Sequence, residues 1–218
     1  MPNKFQFSGT GHCGTGYVAK VLTKLGTRCS HEGTFDLGGI QNARWVISMR
    51  NADPEKYRCV ADSSWLSAPF LGEPELDGIT IVHLVRDPKK WIDSVLRYTA
   101  YVPVVPSPLR YVVYGESFIP EIEHWKRRVD RAVLWYLAYN RMCEEHADIR
   151  HRIEDPIAGL LDQLGIEWTQ EIIDSVSTIT NHHIGLGPYD VKWDQITPSL
   201  RPPFAKMMHR YGYRWPEC

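Results

Sequence analysis

An α/β fold with a central, mainly parallel sheet is predicted by three features of the 218-residue sequence. Short β-rich runs alternate with segments of helical spacing, and one run, GITIVHLVRD (78–87), is almost continuously apolar. A glycine-rich turn joins the first run to the first helical segment. Strands separated by helices pair in parallel through crossovers, and a strand buried on both faces loses its polar alternation. The expectation is a three-layer α/β/α architecture in one domain over 1–218.

The elements follow in chain order. KFQFSG (4–9) alternates as a strand. Tyr17, Val18, Val21, Leu22 and Leu25 recur at helical spacing after Gly14, and Gly26 suits the end of that helix. YRCVADSS (57–64) and GITIVHLVRD read as strands. In the segment after them, Pro88 fits a first helical turn, with Trp91, Ile92, Val95 and Leu96 as its apolar stripe. Residues 103–120, PVVPSPLRYVVYGESFIP, contain four prolines and read as an irregular insertion or lid. Residues 121–146 form the longest helix candidate, IRHRIED (149–155) a strand, the segment after Pro156 a helix, and 198–211 a last helix.

Composition excludes several classes of partner. The chain is 43% hydrophobic and 23% charged with net charge −1, so no global field draws in nucleic acid or an anionic membrane. No stretch reaches the roughly 18 to 20 apolar residues that cross a bilayer. Five scattered cysteines without a CxxC pair fit neither a disulfide framework nor a zinc knuckle. Cytoplasmic localisation is therefore expected.

Two stretches carry chemistry. GTGHCGTG (9–16) lies between a strand and a helix, where backbone N–H groups and a helix N-terminus surround phosphates. Gly9 and Gly14 keep the glycine spacing of a nucleoside-triphosphate loop, but Thr15 stands where its lysine belongs. A dinucleotide pattern also fits Gly9, Gly11 and Gly14, without a clear second strand to complete it. The other stretch, HLVRDPKKWIDSV (83–95), puts Arg86 at a strand end and Ser94 about two turns into the next helix. A guanidinium grips phosphate bidentately and a hydroxyl adds a hydrogen bond. Read without a ligand, Arg86 would pair with Asp87.

Together these stretches resemble the sulfotransferase family that uses 3′-phosphoadenosine-5′-phosphosulfate (PAPS). The family's phosphosulfate loop reads like K/R-x-G-T-T, and His12-Cys13-Gly14-Thr15-Gly16 stand at those positions. Its 3′-phosphate motif, an R-[DN]-P followed by a serine, is similar to Arg86-Asp87-Pro88 and Ser94. HRIEDP (151–156), NHHIGLGPYDVKWDQI and RYGY extend the resemblance over about residues 4 to 213. It implies a P-loop NTPase-like sulfotransferase fold and PAPS as sulfuryl donor, with no metal. It further implies that Gly11, His12, Cys13, Gly14, Thr15, Gly16 and Tyr17 bind the 5′-phosphosulfate, and Arg86 and Ser94 the 3′-phosphate. In this chain His12 replaces the family's cation and Gly16 its second threonine.

Sulfuryl transfer needs a base for the acceptor's proton. In bacterial and Golgi-type relatives a glutamate soon after the first helix serves, and RCSHEGTFD (28–36) places Glu32 there. Cytosolic-type relatives use a histidine near VADSSW (60–65), where this chain offers Asp62, as base or as the group orienting Glu32. The expected acceptor is a small molecule, carbohydrate or lipid bearing a hydroxyl or amine. A small-molecule or nucleoside kinase and a noncatalytic nucleotide-binding module are the alternatives. His182 and His183 lack a carboxylate at ligand spacing, His146 and His151 read as surface residues, and Trp135, Tyr136 and Tyr139 as core.

Overall fold

The structure is a computed structural model that describes residues 5–32, 61–101, 106–176 and 189–215. His182 and His183 lie outside the described residues, as do 33–60. The chain forms two compact units, Met1–Val85 with Met142–His182, and Arg86–Arg141 with His183–Cys218.

The first unit holds the sheet. Its strands are β1 (Phe5–Gly9), β2 (Cys29–Ser30), β3 (Ala61–Ser63), β4 (Thr80–Val85) and β5 (Ile149–Arg152). They pair entirely in parallel in the order β2-β3-β1-β4-β5, so the expected α/β class with a parallel central sheet is what the chain adopts. Helices α1 (Thr15–Lys24), α5 (Ile157–Gln163) and α6 (Gln170–Asp174) also belong to this unit. Phe5, Phe7, Ala61, Val82 and Leu84 form one core with Val18, Val21 and Leu22 of α1 and Leu160 and Leu161 of α5. Burying each large aliphatic or aromatic side chain of this cluster contributes about 1.5–3 kcal/mol.

Strand side chains alternate between faces, and the register Gln6↔Asp62 and Ser8↔His83 puts these four residues on the opposite face. All four are buried. Gln6 Nε2 donates to Asp62 Oδ2 at 3.1 Å and to Ser67 Oγ at 3.0 Å, and Ser67 Oγ donates to the Ser64 carbonyl at 2.7 Å. Burial pushes the thiol of Cys143, beside Ser8, well up. One face of the sheet is thus oily, and the other sets a buried polar network beside Ile81 and Val85.

The second unit contains α2 (Pro88–Tyr101), α3 (Pro106–Ser117), most of α4 (Arg128–Glu144) and α7 (Arg201–Arg210). Trp91 of α2 meets Tyr136 of α4 edge-on at 5.3 Å, and Tyr136 meets Phe204 of α7 at 5.6 Å. Trp135, Tyr136 and Tyr139 are core residues, as their spacing suggests. The buried Asp130 carboxylate accepts from the Thr197 N–H at 2.8 Å and hydroxyl at 2.7 Å, tying the C-terminal segment to α4.

Four local expectations need correction. Residues 106–117 are helical rather than irregular, because Pro106 and Pro108 fall in a first turn, where no amide hydrogen is required. The long helix begins at Arg128, after a 3-10 turn at Ile122–His124 and an extended Trp125. A second strand does exist, as the two-residue β2. His151 is buried rather than exposed: it shares the core-facing side of β5 with Ile149 and is the strand's one buried residue.

Burial of His151 has a pH consequence. Desolvation holds its imidazole below the ordinary 6.5, against a smaller opposing pull from Asp155 and Glu154. As pH falls, the unfolded chain therefore takes up a proton before the folded one does. The stabilisation is complete above about 6.5 and is lost as pH drops through the lowered value. His151→Gln should flatten this part of the acid decline, which urea midpoints at pH 8 and pH 5.5 will measure.

Candidate anion-binding and catalytic site

Central position makes β1 rigid, since it pairs on both edges and every residue is buried. The chain leaves the sheet at Gly9, where an added Cβ would lie 2.5 Å from both Cys13 Sγ and the Leu84 carbonyl oxygen. No side chain fits there. Gly11, His12 and Gly14 then take positive φ of 72°, 48° and 84°, and α1 starts at Thr15. Left-handed residues in such a turn direct successive N–H groups to one side, forming a concavity for anions. Gly14 caps α1 without a side-chain hydrogen bond, and the helix has no acidic residue in its first turn. The positive end of its dipole therefore keeps its charge.

Neighbouring loops hold this turn. Gly11 lies against Trp65, just beyond β3, and Gly14 against Ile153, just beyond β5. Cys13 is fully buried in the core cluster, so only its backbone faces the turn. Tyr17 packs on the same cluster, and burial with the nearby Asp174 carboxylate pushes its phenol up. The Cys13 side chain is thus withdrawn from the turn, while His12 and Tyr17 are half-buried.

The segment after α1 returns to the start of the same helix. Ser30 of β2 donates to Asp62 Oδ1, whose other oxygen is held by Gln6. Directly beyond, His31 Nε2 lies 3.1 Å from Thr15 Oγ1 and 3.6 Å from Glu32 Oε1. Ser63 donates to the Thr15 carbonyl at 2.9 Å, fixing the first turn of α1 from the other side. His12, Thr15, His31 and Glu32 are thus assembled on one unit, over a foundation made by Asp62.

Among the described residues, only two other than glycine have positive φ, and they are His12 and Glu32 (56°). A left-handed conformation costs an ordinary residue about 1–2 kcal/mol and persists only where its surroundings impose it. Asp62 differs from both. It is wholly buried with both oxygens accepting hydrogen bonds, so it braces the segment that carries Glu32.

Arg86 and Ser94 belong to the second unit. Arg86 is the next residue after β4, and its carbonyl accepts from the Tyr136 hydroxyl at 2.9 Å. The Asp87 carboxylate caps α2 by accepting from the Lys90 N–H at 2.9 Å, with Pro88 in the first helical position. Ser94 is half-buried nearly two turns into α2, about 9 Å along the axis from Pro88. Among the described residues no group of three His, Cys, Asp or Glu is placed to hold a metal, and no helix is long and apolar enough to cross a membrane.

No protein-family model matches the chain, and no curated protein matches it. The weight therefore rests on geometry. The structure brings His12 and Glu32, both named from the sequence, onto one unit with the glycine turn, and adds His31 and Ser30 as connecting groups that the sequence reading did not single out. Their only signal was adjacency to Glu32 beside a strand too short to read.

The foundation is testable. Asp62→Asn keeps the volume but presents an amide to the donors of Gln6 and Ser30. A buried donor left unsatisfied costs about 1–3 kcal/mol, so the urea midpoint should fall accordingly.

Proposed function

We propose that this chain is a PAPS-dependent sulfotransferase that transfers a sulfuryl group to a hydroxyl or amine of a small molecule, carbohydrate or lipid. The observation that carries the reading is the coincidence of His12 and Glu32. These two residues fill the leaving-group and base positions of the resemblance, and they alone among the described non-glycine residues hold a left-handed backbone. Strain of this kind gathers at sites where the chain must present a group in one orientation.

The glycine turn suits the donor. Gly9 shows how closely the chain is packed behind the turn, and the uncapped end of α1 offers N–H groups and a positive dipole to the 5′-phosphosulfate. Strands β1 and β4 are neighbours, and the sequence continues from them to strands on opposite sides of the sheet. Ligands of open α/β sheets bind outside the carboxyl ends at such a switch. The glycine turn follows β1, and Arg86 follows β4. In this reading the guanidinium of Arg86 takes the 3′-phosphate with Ser94.

In the reaction, Glu32 takes the proton of the acceptor as its oxygen or nitrogen bonds to sulfur. The bond from sulfur to the bridging oxygen breaks, and adenosine 3′,5′-bisphosphate leaves. His12 donates a hydrogen bond to the oxygen on which charge develops. Asp62 holds Ser30 and thereby the start of the His31-Glu32 segment. A kinase reading is weaker: Thr15 stands in the lysine position, and both oxygens of Asp62 are already engaged by Gln6 and Ser30.

Three measurements test this. Labelled PAPS with a panel of phenols, sugars and amines should yield sulfated product, whereas magnesium-dependent ATP turnover without sulfuryl transfer would favour the kinase. Glu32→Gln should lower turnover by about 10²- to 10⁴-fold while adenosine 3′,5′-bisphosphate binds as before. Arg86→Ala should weaken that ligand by about 2 kcal/mol or more and leave AMP, which lacks the 3′-phosphate, nearly unaffected. Equal losses for both nucleotides in calorimetry would refute the 3′-phosphate assignment.

A further inference from the structure

Gly16 reads from the sequence as a loss, since it removes a side-chain hydroxyl beside the anion site. The structure shows what lies against it. A Cβ built on Gly16 would sit 3.4 Å from both Cε1 and Nε2 of His31. That is the limit of ordinary contact for one methyl-sized atom, and the further branches of a threonine would have to share space with the ring. The imidazole thus lies beside the space opened by the missing side chain. Its Nε2 is also 3.1 Å from the hydroxyl of Thr15, the first residue of α1.

We infer that His31 is a positioning residue of the anion site, replacing the hydroxyl that Gly16 lacks by orienting the hydroxyl of Thr15. A hydroxyl has one hydrogen and two lone pairs. With Nε2–H donating to a lone pair of Thr15 Oγ1, the single hydrogen of that hydroxyl is directed away from the ring, toward the turn. The Glu32 carboxylate, 3.6 Å from the same nitrogen, favours the protonated Nε2 required for this. His31 therefore acts through Thr15 and touches no reacting atom. The glycine at 16 and the histidine at 31 form one device: the first gives room, and the second uses it.

This inference rests on the reading of residues 9–16 as a phosphate cradle, and a double-mutant cycle separates the two. The probe is adenosine 3′,5′-bisphosphate, measured by calorimetry, with AMP as a second ligand. His31→Ala should weaken binding about tenfold to 150-fold, the range of one hydrogen bond to a charged group. His31→Gln, whose amide retains a donor, should recover most of that loss. Gly16→Thr should weaken binding in the parent chain, where it presses on the imidazole. In the His31→Ala background the same substitution should strengthen binding, because a hydroxyl enters vacated space. The change of sign tests the shared space, and recovery by His31→Gln tests the hydrogen bond to Thr15. Independent, same-sign effects in the two backgrounds would overturn the inference, as would a His31→Gln variant as weak as His31→Ala. A parent chain that binds neither nucleotide would overturn the phosphate cradle itself, and this inference with it.

Discussion

A carboxylate buried in the middle of a sheet has to be satisfied, because an unpaired charge there costs far more than a domain can spare. Asp62 meets that requirement with donors from two different strands, Gln6 of β1 and Ser30 of β2. The arrangement fixes β2, which has only two residues and could not hold its register by ladder bonds alone. His31 and Glu32 leave the sheet from the end of β2. Their placement beside Thr15 thus depends on an interaction one layer beneath them. Gln6 extends the same network to Ser67, so the polar face of the sheet is coupled to the 3-10 turn carrying Trp65, the residue under Gly11.

The two faces of the sheet divide the work. The apolar face carries the hydrophobic burial that stabilises the first unit, with α1 packed along it. The polar face contributes less net energy per bond, about 1 kcal/mol, but each member penalises any shift that leaves a partner buried and unsatisfied. Such a network gives uniqueness of position more than stability. That quality matters where Glu32 sits in a backbone conformation that an ordinary residue does not choose.

Legibility in the sequence followed the strength of local signals. Strand β4 was plain because its residues are nearly all apolar, and α1 because a clean helical period follows the glycines. Residues 106–117 misled because proline is a breaker in a helix interior and a good starter in its first turn, and the sequence does not state which position it occupies. His151 misled because a titratable side chain reads as a surface residue, although its place between Ile149 and Ile153 in the alternation puts it on the core-facing side of β5. At the candidate site, His12 and Glu32 were named through the resemblance, from their positions in its loop motif and after its first helix. His31 was not, since its contact with Thr15 spans sixteen residues and depends on where the two-residue β2 aims the chain. Motifs reveal groups that meet a ligand more readily than groups that hold other groups.

The missing lysine bears on how such a loop gains affinity. A lysine supplies a full charge on a flexible stem, so it attracts an anion even from an approximate position. Here the turn is built the other way. Cys13 is buried in the core, Gly11 lies on Trp65, Gly14 lies on Ile153, and Ser63 holds the Thr15 carbonyl. If the turn holds a phosphate, as proposed, backbone N–H groups fixed by these contacts would undergo little reorganisation when it arrives, and such preorganised dipoles would act strongly on developing charge. A loop of this kind exchanges charge for position. The same logic explains why its packing tolerates so little change at Gly9: the contact that excludes a Cβ there, between the end of β1, Cys13 and Leu84, is what keeps the turn in place when there is no long cationic side chain to reach across a gap.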